Sequence, residues 1–98
     1  METLSKPTAS FSLNAARLVV QADFDPQLPG RVLDRFAVVN ALPSSFLARS
    51  FDETSLRLEL EFTAETDAAR LLSRRLLNLP SVRTVELSFR RERLARAA

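Results

Sequence analysis

The sequence predicts an α+β sandwich: one four-stranded antiparallel sheet with two helices on one face, in the order βαββαβ. Three observations carry this expectation. The run Leu56-Arg57-Leu58-Glu59-Leu60-Glu61-Phe62 alternates apolar and charged residues without a break. A period of two marks a strand with one dry face and one wet face. Two other segments, after Pro29 and after Thr63, carry apolar residues at three-and-four spacing, the pattern of amphipathic helices. A chain of 98 residues builds one core, so a sheet wet on one face places its helices on the other.

Residues 17–24 read as the first strand, with Leu18, Val20, Ala22 and Phe24 on one side and Val19, Gln21 and Asp23 on the other. Asp25-Pro26-Gln27-Leu28-Pro29-Gly30 is a turn, because each proline fixes its own φ and pushes its predecessor out of helical geometry. A helix starts near Pro29, buries Val32, Leu33, Phe36 and Val39, and is stopped by Pro43. Residues 44–51 form a second strand, with Phe46 and Ala48 facing one way and Leu47, Arg49 and Phe51 the other. Residues 52–55 turn into the alternating strand. Thr63 is the expected N-cap of the second helix, with Glu65 and Asp67 in its first turn, where acids complement the helix dipole. Its dry side is Ala68, Leu71, Leu72, Leu76 and Leu79, and Asn78 and Pro80 stop it. Residues 82–89 are the last strand, alternating Val85, Leu87 and Phe89 against Thr84, Glu86 and Ser88. Two right-handed crossovers in this order give the ferredoxin-like sandwich. Residues 1–14 read as a flexible arm, in which Phe11 and Leu13 are candidates for docking or a short edge strand. Residues 15–90 read as the domain and 91–98 as a basic tail.

Composition narrows the function. The chain has no His, Cys, Trp or Tyr and a single glycine. That removes the usual general base, the thiol nucleophile, the soft metal ligands and any glycine-rich phosphate cradle. The only lysine is Lys6, in the arm. The expectation is a non-catalytic protein with no cofactor or metal of its own. No apolar run approaches the ~20 residues of a membrane span, and residues 1–14 lack the basic start and apolar middle of a signal peptide. With no disulfide possible, the expected setting is cytoplasmic.

Leu28-Pro29-Gly30-Arg31-Val32-Leu33, directly after the first strand, resembles the Pro-Gly-x-(Val/Leu) turn that opens the first helix of ACT domains. Leu77-Asn78-Leu79-Pro80-Ser81-Val82-Arg83-Thr84-Val85 is similar to the passage into their last strand. Phe24-Asp25-Pro26, Arg31-Val32-Leu33 and Leu56-Arg57-Leu58-Glu59-Leu60 together resemble the short form of the acetolactate synthase small subunit, which is little more than one ACT-like domain. The likeness spans about residues 17–89, and its motifs are mostly structural. It implies a regulatory subunit of branched-chain amino-acid biosynthesis that forms a homodimer and binds a large thiamine-diphosphate-dependent catalytic subunit, which holds the cofactor. An alternative it leaves open is a free-standing dimeric domain that senses a small amino acid. The sequence departs from amino-acid-binding ACT domains in two places: Gln27 replaces the usual asparagine or aspartate, and Leu42-Pro43-Ser44-Ser45-Phe46 replaces the usual Asn-Ile pair. A branched-chain amino acid is therefore expected to bind weakly.

The resemblance carries ligand-binding roles to Gln27, Gly30 and Arg31, and to Ser44, Ser45 and Phe46. Gly30 has two explanations: a helix start beside Pro29 that needs a residue without Cβ, or a bare N–H that holds a ligand carboxylate. Arg31 either pairs with that carboxylate or is simply solvated. Val19, Leu47 and Phe51 are apolar on the wet side of the sheet and are the candidate interface, unless a one-residue slip inverts the register. The sequence pI is about 10.4, and Arg74, Arg75, Arg83, Arg90, Arg91, Arg93 and Arg96 form a basic cluster. Nucleic-acid binding on such a sheet needs aromatic rings on its central strands. Here those strands expose Val19, Gln21, Asp23, Arg57, Glu59 and Glu61, whose carboxylates repel phosphate.

Overall fold

In the computed structural model, residues 13–90 are described. Their order is β1 (Asn14–Asp23), α1 (Leu28–Val38), β2 (Ser45–Phe51), β3 (Ser55–Ala64), α2 (Thr66–Leu77) and β4 (Val82–Arg90). The strands form one sheet in the order β2-β3-β1-β4, antiparallel at every junction. This is the predicted ferredoxin-like sandwich. Phe11, Lys6 and the arginines Arg91, Arg93 and Arg96 lie outside the described residues.

Strand parity sets the core. Leu18 pairs with Leu60 and with Leu87, and Val20 with Leu58 and Val85, so the even positions of β1 meet apolar neighbours on both sides. Leu18, Val20, Leu58 and Leu60 are fully buried under the helices, each burial favouring the fold by roughly 1.5–3 kcal/mol. Phe36 of α1 meets Phe62 of β3 edge-to-face, with ring centroids 5.0 Å apart, a favoured aromatic geometry.

Local boundaries depart from the pattern in four places. β1 ends at Asp23, and Phe24 is 47 % exposed rather than in the core. Its N–H still follows the β1–β3 register and bonds the Thr54 carbonyl, but Thr54 belongs to the β2–β3 turn, where the strand pairing stops. α1 buries Leu28, Val32 and Phe36, while Leu33 points outward. It ends before Pro43 is reached, at a turn where Asn40 adopts φ 58° and the N–H groups of Val39, Asn40 and Ala41 close onto Phe36 and Ala37. Thr63 is not an N-cap. β3 runs on to Ala64, with Thr63 paired to Ala15, as suits a β-branched residue that continues the alternation. The cap of α2 is Glu65, which makes no side-chain capping bond. The buried stripe of α2 is accordingly Ala69, Leu72 and Leu76, with Ala68 and Leu71 only half-buried.

The β2–β3 hairpin turns through Asp52 and Glu53, both with positive φ (53° and 60°), closed by Thr54 N–H donating to the Phe51 carbonyl at 3.0 Å. These are the signs of a type I′ turn, whose twist matches the flanking strands. Among the described residues no helix is long and apolar enough to cross a membrane.

Candidate functional site

The β1–α1 loop is organised by Asp25. Its Oδ1 accepts the Gln27 N–H at 3.0 Å and its Oδ2 accepts the Ser81 hydroxyl at 3.0 Å. Its carbonyl accepts the Leu28 N–H. This is an aspartate turn that also ties the loop to the α2–β4 connection. An Asp two residues before Gln27 was a readable signal for that turn, although its tie to Ser81 was not.

The first turn of α1 offers few donors to a ligand. The Leu28 N–H is bonded to Asp25, Pro29 has none, and the Arg31 N–H is bonded to Gln27. Gly30 is left with the one N–H that has no acceptor among the described residues. Gln27 is engaged as well, since its Oε1 accepts Arg31 Nη2 at 2.9 Å. Gln27, Gly30 and Arg31 line a shallow groove with Pro26, Asp34 and Arg35. The steric explanation of Gly30 fails: its φ is not positive, and a Cβ there would meet nothing within 4 Å.

Ser44, Ser45 and Phe46 stand at the other end of the sandwich. Ser44 bonds the Glu61 carbonyl through both its N–H and its hydroxyl. Ser45 pairs with Glu61 on the open face, and Phe46 pairs with Leu60 on the helix face. Glu61 in turn pairs with Arg17, whereas the β1–α1 loop begins beyond Asp23. Six residues of strand separate the two levels, roughly 20 Å. Ser44 lines a separate cavity of about 380 Å³ with Arg17, Glu61, Thr63 and Ser88. The two halves of the predicted ligand site therefore do not meet within one chain.

The open sheet face is covered in its middle by its own charges. Arg17 Nη2 bonds Glu59 Oε1 and Arg57 Nε bonds Glu59 Oε2, both at 2.9 Å. The Arg57 hydrogen bond, helped by the charges of Arg57 and Arg17, holds the Glu59 carboxyl below the usual glutamate range despite partial desolvation. Val19, next to Glu59 in the ladder, is only 6 % exposed. It therefore does not form a surface with Leu47 and Phe51, each 43 % exposed, because Glu59 stands between Val19 and Leu47. Leu47 and Phe51 do face the open side, so no register slip has occurred. No aromatic ring stands on the open face of β1 or β3. Arg83 pairs with Asp23 at 2.6 Å, while Arg74 and Arg75 end α2 exposed to solvent.

No protein-family model matches the chain, and no curated protein matches its sequence. Solved structures do match its fold. The ACT domain of GTP pyrophosphokinase from Chlorobium tepidum superposes with a TM-score of 0.69 at 14 % identity, over 79 % of this chain and 100 % of that one. The C-terminal domain of the MgtC protein from Mycobacterium tuberculosis gives 0.66 at 10 % identity, over 84 % and 93 %. The regulatory subunit of aspartate kinase from Thermus flavus gives 0.50 at 17 % identity, over 78 % and 52 %. The fold is that of ACT domains, and at these identities the likeness is one of fold.

Proposed function

We propose that the chain is a non-catalytic, cytoplasmic regulatory module that works by assembly, both with a second copy of itself and with the large catalytic subunit of an acetolactate synthase. One observation carries this reading. An ACT-like sandwich leaves β2 as an edge strand exposed along nearly its whole length, with Leu47 and Phe51 directed at solvent from a face whose middle is covered by ion pairs. Exposed apolar groups on an unpaired edge mark contact surfaces. Thiamine diphosphate belongs to the catalytic partner. Co-purification with a large synthase subunit, and a rise in that subunit's activity on mixing, tests the reading. Turnover of pyruvate by the isolated chain with thiamine diphosphate and magnesium overturns it.

A second reading, an amino-acid sensor, draws on the Gly30 N–H, which has no acceptor among the described residues. Antiparallel pairing of β2 with the β2 of a second copy carries Ser44, Ser45 and Phe46 toward the other copy's β1–α1 loop, which completes the site between chains. The helix start so offered is poor in backbone donors: one N–H without an acceptor among the described residues, with Gln27 already bonded to Arg31. Valine, leucine or isoleucine is expected to shift the Gly30 and Arg31 amide signals only at about millimolar concentration, roughly 4 kcal/mol of binding. Micromolar affinity places the sensor ahead of the assembly subunit.

A further inference from the structure

The proposed assembly through β2 leaves open how the strands align, and two unmatched charges beside that edge choose the alignment. Arg49 stands directly opposite Arg57 in the β2–β3 ladder, a like-charge pairing that is unfavourable. Arg57 is relieved by Glu59, while Arg49 has no carboxylate partner among the described residues. Glu61 stands directly opposite Arg17, yet Arg17 bonds Glu59 instead. Glu59 thus holds two arginines and Glu61, half-buried, holds none among the described residues. Between the levels of Arg49 and Glu61 lies Leu47, and the residue beside Glu61 on β2 is the small Ser45.

A two-fold axis at Leu47 exchanges these levels. It sets Leu47 against Leu47 of the second copy and brings the second copy's Arg49 opposite Ser45, two strand spacings from Glu61. That is about 10 Å between backbones, within the joint reach of arginine and glutamate side chains across a serine. On the helix face the same axis sets Phe46 against the second copy's Ala48. The neighbouring alignments are worse. An axis at Ala48 places Arg49 at the level of Glu59, which already has its two arginines. An axis at Arg49 opposes the two Arg49 side chains directly. β4, the other edge, carries Arg83 and Glu86 along its length, the charges with which natural edges resist pairing. β2 carries only Arg49.

We propose that two copies pair antiparallel through β2 on a two-fold axis at Leu47, forming one continuous sheet in which Arg49 of each copy pairs with Glu61 of the other. Sedimentation equilibrium of the full chain and a cysteine cross-link test this. Arg49→Glu and Glu61→Arg are each expected to weaken dimerisation at least about tenfold, and the double reversal to restore it. The chain has no cysteine of its own, so Leu47→Cys alone should oxidise to a covalent dimer while Ala48→Cys should not. Cross-strand neighbours are close enough for a disulfide only at the matched position. This arm alters no charge and stands even where a reversal impairs folding. A dimer indifferent to both single reversals, or one cross-linked by Ala48→Cys in place of Leu47→Cys, overturns the alignment and leaves the assembly reading intact. A wild-type chain that stays monomeric at high concentration overturns both.

Discussion

Replacing Gly30 by alanine separates what the fold needs from what a partner needs. Gly30 is the third residue of α1, after Leu28 and Pro29. Its backbone does not require glycine, because its φ is not positive, and a Cβ would point into open space, with no heavy atom within 4 Å. In a helix interior alanine is favoured over glycine by about 0.8–1.0 kcal/mol. Viewed from the unfolded state, the same effect is a loss of chain freedom worth about 0.4–1 kcal/mol. These are two descriptions of one contribution and do not add. The first turn is less constrained than the interior, so the gain should lie near 0.5 kcal/mol. For a domain of this size each kcal/mol moves Tm by about 4–8 °C, so Gly30→Ala should melt about 2–4 °C higher. Thermal denaturation followed by circular dichroism, at a protein concentration that keeps the chain monomeric, measures this. A lower Tm under those conditions refutes the reasoning, because it would mean that the space over Gly30 is filled within a single chain. A gain in the monomer that becomes a loss at high concentration would locate the approach of a second copy at this residue.

Three further outcomes are expected. Asp52→Asn with Glu53→Gly should stabilise the hairpin by about 1 kcal/mol, since both residues now hold the left-handed conformation at a cost; urea midpoints of the wild type and the double variant measure it. Phe36→Ala removes a side chain 1 % exposed and its edge-to-face contact with Phe62, and should cost about 3–5 kcal/mol, read as a fall in the urea midpoint with the slope unchanged. Glu59 is held below its ordinary pKa, first by its hydrogen bond from Arg57. A group whose folded pKa is depressed stabilises the fold above its unfolded pKa and loses that contribution as pH falls through the folded value. Stability should therefore decline as pH drops through and below the ordinary glutamate range, and Glu59→Gln should flatten that part of the profile in melts taken between neutral and strongly acid pH.

The sandwich was legible because its signals are periodic and local. The alternation from Leu56 to Phe62 places four apolar side chains on one face whatever the strand pairs with, and β3 forms where it says. The absence of histidine and cysteine removes whole classes of chemistry before any fold is known. Phase at the element ends was less legible, because it depends on competition between neighbours. Thr63 suits an N-cap and a strand equally, and pairing with Ala15, 48 residues earlier in the chain, decided for the strand. In α2 the expected Leu72, Leu76 and Leu79 are buried, while Ala69 takes the buried place expected of Ala68 and Leu71 is only half-buried.

The candidate site shows the same division more sharply. Side-chain parity is a local property, so the sequence alone determined that Leu47 and Phe51 share one face of β2, and the pairing of β2 with β3 decided against a slip and set that face away from the helices. The resemblance to ACT domains, rather than the residue pattern, named Gln27, Gly30 and Arg31, which adjoin at the start of α1. Only the tertiary structure decided that Ser44, Ser45 and Phe46 lie at the opposite end, that Gln27 is already engaged by Arg31, and that Arg17 bonds Glu59 across 42 residues of sequence while Glu61 stands beside it with no cation partner among the described residues. A periodic pattern records how one segment divides between water and core. Which charge finds which partner depends on the register between distant segments, and that register is settled only when the strands pair.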